Sequence, residues 1–214
     1  MPTTSLEKLA GWVSVSEVLD GYAEQGIIDW KIKVGKKEAK RIGTIALKIG
    51  TRIHELIEQD WKEGKYKFGS KDSVEVKNCM QAWEQFKVDF KPVILNMETE
   101  VKNEEQKVVG HLDAVIAVGG SFVVTDFKTS SQINLKNWVQ VNKYAACNGT
   151  YDKVAVLRLD KNLGVYEYQE RKFDQSLVEV FDCMLVAHRY FNPNGIIEGD
   201  ANGIDDSSSA DRGF

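Results

Sequence analysis

Apolar residues recur at three- and four-residue steps through the first ninety positions, then alternate or run together from about residue 93. That change of rhythm divides the chain into a helical part and a part richer in strands. Ser14-Val15-Ser16-Glu17 reads as a capping box opening a short helix to about Gln25, weakened at Gly21 and stopped by Gly26. A long helix is predicted from Lys36 to Glu63, with Ile42, Ile45, Ile49, Ile53, Leu56 and Ile57 as one buried stripe. Asp72 or Ser73 opens another, burying Val76, Met80, Trp83 and either Phe86 or Phe90 until Pro92 ends it. Three strands follow, Val93 to Val101, Lys107 to Val118 and Ser121 to Thr129. The first two join through Asn103-Glu104-Glu105-Gln106, and Gly119-Gly120 between the others is a hairpin signal. Leu135 to Cys147 returns to helical spacing. Asp152 to Leu159 and Val165 to Arg171 are strands turned by Asp160 to Gly164, and a helix from Asp174 to Tyr190 closes the pattern. The order predicts an α/β fold, a mixed sheet flanked by helices with a helical N-terminal part.

Composition narrows the reading only a little. At 214 residues, 43% hydrophobic and 28% charged, the chain suits one soluble domain. We expect that domain over 1–195, with a helical part at 1–92 and the sheet core and closing helix at 93–195. Residues 196–214, including Asp205-Asp206-Ser207-Ser208-Ser209, have the composition of an acidic, disordered tail. No run approaches the roughly 20 apolar residues of a membrane helix, and Met1-Pro2-Thr3-Thr4 lacks the regions of a secretory signal. Three widely spaced cysteines, Cys79, Cys147 and Cys183, argue against a disulfide framework or a four-thiolate metal site. A cytoplasmic location is expected. Net charge is −4, but eight basic residues between Lys31 and Arg52 face one acid, Glu38. Such a stretch suits the guiding of a phosphate backbone, with a solvated helix face as the plain alternative.

The chemistry concentrates in Gly110-His111-Leu112-Asp113 and Val123-Val124-Thr125-Asp126-Phe127-Lys128, with twelve residues between the aspartates. A hairpin at Gly119-Gly120 brings Asp113 and Asp126 together. Two adjacent carboxylates repel unless a proton or cation joins them, and hard divalent cations take oxygen ligands. Alternation sets Asp126 and Lys128 on one face and Phe127 on the other. Paired acids with a lysine beside them are equipment for metal-assisted phosphodiester hydrolysis. His54 lies on the long helix in line with Gly43, Gly50, Glu58 and Trp61, and two glycines on one face suggest close approach of another element. Gln140 and Tyr144 share a helix face. Glu98 and Glu100 add acid nearby, with at least one expected to be solvated. His111 shares a strand face with Asp113, as a substrate contact or a satisfied structural histidine. With only His54, His111 and His188 available, Ser/His/Asp catalysis has poor support.

Taken in order, Gly50 to His54, Gly110 to Asp113, Asp126-Phe127-Lys128-Thr129 and Gln140 to Tyr144 resemble the RecB-like exonuclease branch of the PD-(D/E)XK nuclease superfamily. The Asp-to-Asp spacing is similar to that of phage enzymes and the mitochondrial genome-maintenance exonuclease. The resemblance implies a restriction-endonuclease-like core in αβββαβ order. It implies Asp113 and Asp126 as metal ligands, completed by the Phe127 carbonyl and His54. Lys128 would orient or polarise the attacking water, and Gln140 and Tyr144 would hold the lysine or the DNA strand. Mg²⁺ or Mn²⁺, one ion or two, is the expected cofactor; without the cluster cysteines of some relatives, no iron–sulfur cluster is expected. DNA contacts are expected at Ser16, Lys36, Lys37, Lys40, Arg41, Arg52 and Thr129, with Trp12, Trp30 and Trp61 available to stack on bases.

The expected activity is therefore a metal-dependent DNA exonuclease acting on single strands or ends, in replication, recombination or repair. A selective endonuclease on the same scaffold is the alternative enzyme, and a non-catalytic nucleic-acid binder the alternative of another class. Clustered acids beside a polyanion speak against the binder. A homo-oligomer, toroidal or otherwise, and a replication or recombination partner protein are left open by motifs this short.

Overall fold

The computed structural model describes residues 11–149 and 151–192. The expected tail at 196–214 and the chain start at 1–10 lie outside the described residues. In chain order the elements are β1 (Val13–Ser14), α1 (Val15–Asp20), α2 (Gln25–Val34), α3 (Lys36–Glu63), α4 (Val74–Phe90), β2 (Val93–Asn103), β3 (Val108–Val118), β4 (Ser121–Lys128), α5 (Leu135–Asn148), β5 (Lys153–Leu159), β6 (Tyr166–Lys172) and α6 (Gln175–Phe191). Six strands form one mixed sheet in which β3, β4, β5 and β6 are successive neighbours. The β3–β4 and β5–β6 pairs are antiparallel hairpins, while β4 and β5 run parallel and need the α5 crossover between them. Both β2 and the two-residue β1 pair with β3.

Each face of the sheet buries its own core. One contains Val15, Val18, Leu112, Val124, Tyr144, Val156 and Phe181, so α1, α5 and α6 cover it. The other contains Ile53, Leu56, Met80, Trp83, Phe127 and Leu157, under α3 and α4. This is a helix–sheet–helix layering, the mixed α/β arrangement that the sequence predicts, with the helices of the N-terminal part on both sides.

Two expectations change. The first helix stops at Asp20, capped by Ser14 Oγ accepting from Glu17 N at 3.1 Å, and a separate helix, α2, occupies Gln25–Val34. Gly21 breaks the helical run, and Gly26 lies inside α2 instead of stopping a helix. The stripe on α3 is buried only from Ile49; Ile45 is 44% exposed and Leu47 71%. At 28 residues α3 is about 42 Å long, whereas α4, folded back against it, has 17. Counting back from Glu63, the same length reaches Leu47, so the front of α3 overshoots its cover. Of the two alternatives on α4, Phe86 is the buried one; Phe90 is 36% exposed and stacks on it with centroids 5.1 Å apart. No described helix is long and apolar enough to cross a membrane.

Candidate active site

The site is built where the β3–β4 ladder ends. Gly119 and Gly120 have φ of 57° and 80°, the two left-handed positions of a tight two-residue turn, which is why only glycines suit the pair. That turn fixes the register from Val118↔Ser121 to Ala114↔Thr125, so Asp113 and Asp126 emerge side by side one step further on. The Phe127 N–H donates to Asp113 Oδ2 at 2.6 Å and ties the acid to the end of β4. Alternation then sends Phe127 into the α3/α4 core and turns Asp126 and Lys128 towards α5.

Lys128 Nζ donates to Asp126 Oδ1 at 2.8 Å and lies 2.7 Å from Oδ2. Oδ2 is nevertheless buried without a hydrogen bond, because the ammonium is poorly aligned with it. Burial raises the Asp126 carboxyl above its ordinary range, against the pull of Lys128 and His54. Burial alone would lower the Lys128 ammonium, but the charges of Asp126 and Asp113 outweigh it and hold the pKa above normal. This lysine is a fixed cation and a poor proton acceptor.

From the other side, α3 delivers His54. Its Nδ1 stands 3.0 Å from Glu98 Oε1 and 3.5 Å from Asp113 Oδ1, and its ring packs edge-on to Phe127 with centroids 5.9 Å apart. Burial pulls the imidazolium down, yet the Asp113 charge and the Glu98 hydrogen bond raise its pKa to about 9. As the imidazolium, Nδ1–H donates to Glu98. A slip in both strands makes this convergence. Met97 packs in the α3/α4 core, but Val101, four residues on, packs in the opposite core; Ala114 and Leu112, two apart, divide the same way. A regular strand keeps such pairs on one face. Here Met97 and Glu98, and across from them Asp113 and Ala114, present consecutive residues to the α3 side. Glu98 has φ +46°, which is the backbone expression of the slip.

On the α5 side, Gln140 Nε2 donates to Tyr144 Oη at 2.8 Å. Burial, with the neighbouring Asp126 charge, pushes the Tyr144 phenol up to about 12, so it keeps its proton. Gly110 explains itself here, since a Cβ on it would lie 2.5 Å from Tyr144 Cε1. The helix starts at a capping box in which Asn134 and Asn137 satisfy each other's backbone N–H. Ser16 is exposed and lines a groove of about 270 Å³ with Asn137, Lys136 and Gln140.

The remaining expected residues divide. Lys36, Lys37 and Lys40 are exposed on the front of α3, and Arg41 there is paired with Glu38 at 2.7 Å. Arg52 is committed elsewhere: its guanidinium bonds both oxygens of Asp72 at 2.9 and 3.0 Å and the Lys67 carbonyl at 3.2 Å. It anchors the 64–73 loop, so a role as a free DNA contact does not fit. Thr129 Oγ1 would stand 3.7 Å from a Cβ on Gly50, an ordinary contact, and nothing described lies within 4 Å of one on Gly43. The two glycines therefore do not mark a close approach within the fold. His111 is exposed and sits opposite Glu100 in the ladder. Glu100 pairs with Lys102 at 3.0 Å. Glu98 is the residue sequence reasoning undervalued. Its strand spacing offered no sign of the slip that turns it onto His54.

His54, Glu98 and Asp113 each offer a ligand atom, all within 4.8 Å of one another. One imidazole with carboxylates suits Mn²⁺ or Mg²⁺, and Asp126 is a further buried carboxylate nearby, paired through both oxygens with Lys128. The residues fit a divalent cation. Asp126 itself lies outside this triad.

No family model matches the chain, and no curated protein matches it. The solved structures it resembles include exonucleases. The alkaline exonuclease LHK-Exo from Laribacter hongkongensis is 12% identical over 87% of this chain and 90% of that one, with a TM-score of 0.48. The same exonuclease in complex with dAMP gives 0.47 at 12% identity, over 87% and 90% of the two chains. A phage-related exonuclease from Haemophilus somnus is 11% identical over 89% and 97%, with a TM-score of 0.45. Likeness this remote carries no information about residue roles, and the functional reading rests on the chain's own geometry.

Proposed function

We propose that this chain is a divalent-metal-dependent deoxyribonuclease, an exonuclease acting on single-stranded DNA or DNA ends in replication, recombination or repair. The observation that carries this reading is the joint at the end of the β3–β4 hairpin. There His54 and Asp113, 3.5 Å apart, adjoin an acid–lysine pair, Asp126 with Lys128. Acid clusters hold ions in many settings, but a buried carboxylate with its own lysine beside them is suited to a phosphate that must be both gripped and attacked.

His54, Asp113 and Asp126 would hold the ion, with the Phe127 carbonyl. In an extended strand a residue's N–H and C=O leave by the same edge, and the Phe127 N–H already points at Asp113. The bound ion supplies a Lewis acid that lowers the pKa of a coordinated water and offsets charge on the phosphate. Lys128, kept charged by Asp126, would orient an attacking water and face the developing negative charge. Tyr144, kept protonated and held by Gln140, packs beside the lysine strand and limits its movement. The basic front of α3 and the groove at Ser16, Lys136 and Gln140 supply a path for the phosphate backbone.

The test is degradation of end-labelled single-stranded and duplex DNA with Mg²⁺, Mn²⁺ or EDTA, wild type beside Lys128→Ala. Metal-dependent shortening is expected, reduced about 10²–10³-fold in the variant, the scale of losing one preorganised charge-stabilising group. Wild type that binds DNA and cuts none in either metal would refute the proposal. Cutting of closed circles would replace the exonuclease with an endonuclease on the same site.

A further inference from the structure

Three non-glycine residues among those described have left-handed φ: Lys91, Glu98 and Lys107. Lys91 caps α4, and Lys107 closes the turn between β2 and β3, both ordinary places for that conformation. Glu98, at φ +46°, lies inside an eleven-residue strand. A side chain there crowds its own backbone, which the surrounding structure must overcome. The opposite strand slips at the same level, so the distortion is shared by β2 and β3 and is not a frayed end.

The result of this distortion is specific. Without the slip, alternation from Met97 would aim Glu98 at the α1/α5 side, away from His54. With it, Glu98 Oε1 comes to 3.0 Å from His54 Nδ1, and Asp113 Oδ1 to 3.5 Å from the same nitrogen. Two ligand atoms each about 2.1 Å from one octahedral ion stand about 3 Å apart when they subtend a right angle. The separations are those of neighbouring ligands on one small cation. In the ion-free fold the same placement is held by the hydrogen bond between His54 and Glu98.

We propose that Glu98 is a ligand of the ion, and that the left-handed backbone at residue 98 is kept in the fold to aim it. This rests on the reading of the site as a metal centre, and extends it with a residue and a cause. Bulges beside active sites commonly re-aim a side chain; here two facing strands do so together.

The experiment compares the full chain with Glu98→Gln, Glu98→Ala and Glu98→Gly, titrating Mn²⁺ calorimetrically and melting each protein free of metal. All three variants are expected to bind Mn²⁺ at least about tenfold more weakly, the size of effect expected for losing a metal-site partner. Glycine has no Cβ to crowd at φ +46°, so Glu98→Gly should melt about 2–4 °C above Glu98→Ala in metal-free buffer. Elsewhere in a strand that order reverses. Mn²⁺ affinity within twofold of wild type in the alanine and glycine variants would overturn the ligand role. The alanine variant melting higher would overturn the strain. The DNA assay is separate. Glu98-dependent Mn²⁺ binding without cleavage would reject only the nuclease reading, and cleavage with unchanged Mn²⁺ affinity in the variants would reject only this one. Wild type that binds no Mn²⁺ would reject both.

Discussion

The front and rear halves of α3 carry the same spacing of isoleucines, yet they live in different surroundings. Behind Ile49 the stripe is buried against α4 and the sheet, and His54 rides on it into the site. Ahead of Ile49 the same stripe meets solvent, beside an α2 that buries none of its residues although it contains Ile27, Ile28 and Ile32. Periodicity reports that a helix has an apolar face; it does not report whether anything covers that face. The rear half is a rigid mount for chemistry. The front half is an exposed, lysine-rich arm.

The largest effect that would test this contrast is on stability. Ile53→Ala should destabilise the fold by about 2–5 kcal/mol, because Ile53 is fully buried. Ile45→Ala should change it by no more than about 0.5 kcal/mol. Equal melting-temperature losses for the two would show that the front half is covered after all.

A second test belongs to the rear half alone. The His54 pKa is raised from 6.5 to about 9 in the metal-free fold. The folded state then holds a proton that the unfolded state has released, so ∂ΔG/∂pH is negative between those values. The contribution is complete below pH 6.5 and lost as pH climbs through about 9, at most about 3 kcal/mol. Denaturant midpoints of the metal-free protein should fall over that window, and the fall should flatten in His54→Ala. A midpoint that rises with pH there would contradict the geometry around His54.

The arm should answer to charge and not to packing. Replacing Lys36, Lys37 and Lys40 by alanine is expected to leave the melting temperature unchanged while weakening single-stranded DNA binding. Three lost phosphate contacts would lower the slope of log K against log salt by about 2. An unchanged slope would remove the arm from the DNA path.

Much of this was written in the chain. The limits of α3, Ser73 before α4 and the Gly119-Gly120 turn follow from local chemistry, and so does the pairing of Asp126 with Lys128. What escaped was set by tertiary contact. Nothing near Gly110 in sequence announces Tyr144, the ring that needs its missing side chain. Arg52 looks like one more cation of a basic run until the fold brings Asp72 against it. The two-residue β1 exists only because β3 runs alongside it. Glu98 escaped for a different reason, since a left-handed glutamate contradicts local preference and no sequence rule anticipates it.

Gln106, in the turn between β2 and β3, is gripped at both ends. Its side chain accepts from the buried Lys143 ammonium of α5, and its carbonyl accepts from Arg189 near the end of α6. Every residue of the site precedes Arg189 in the chain. During synthesis the ribosome therefore releases all the chemistry before it releases the clamp. The strands carrying Glu98 and Asp113 can be sewn into register early, but the Arg189 bond to their turn can form only once α6 has been made. A nascent chain that stops short of α6 carries every residue of the site without the Arg189 half of the grip on the turn that joins their strands.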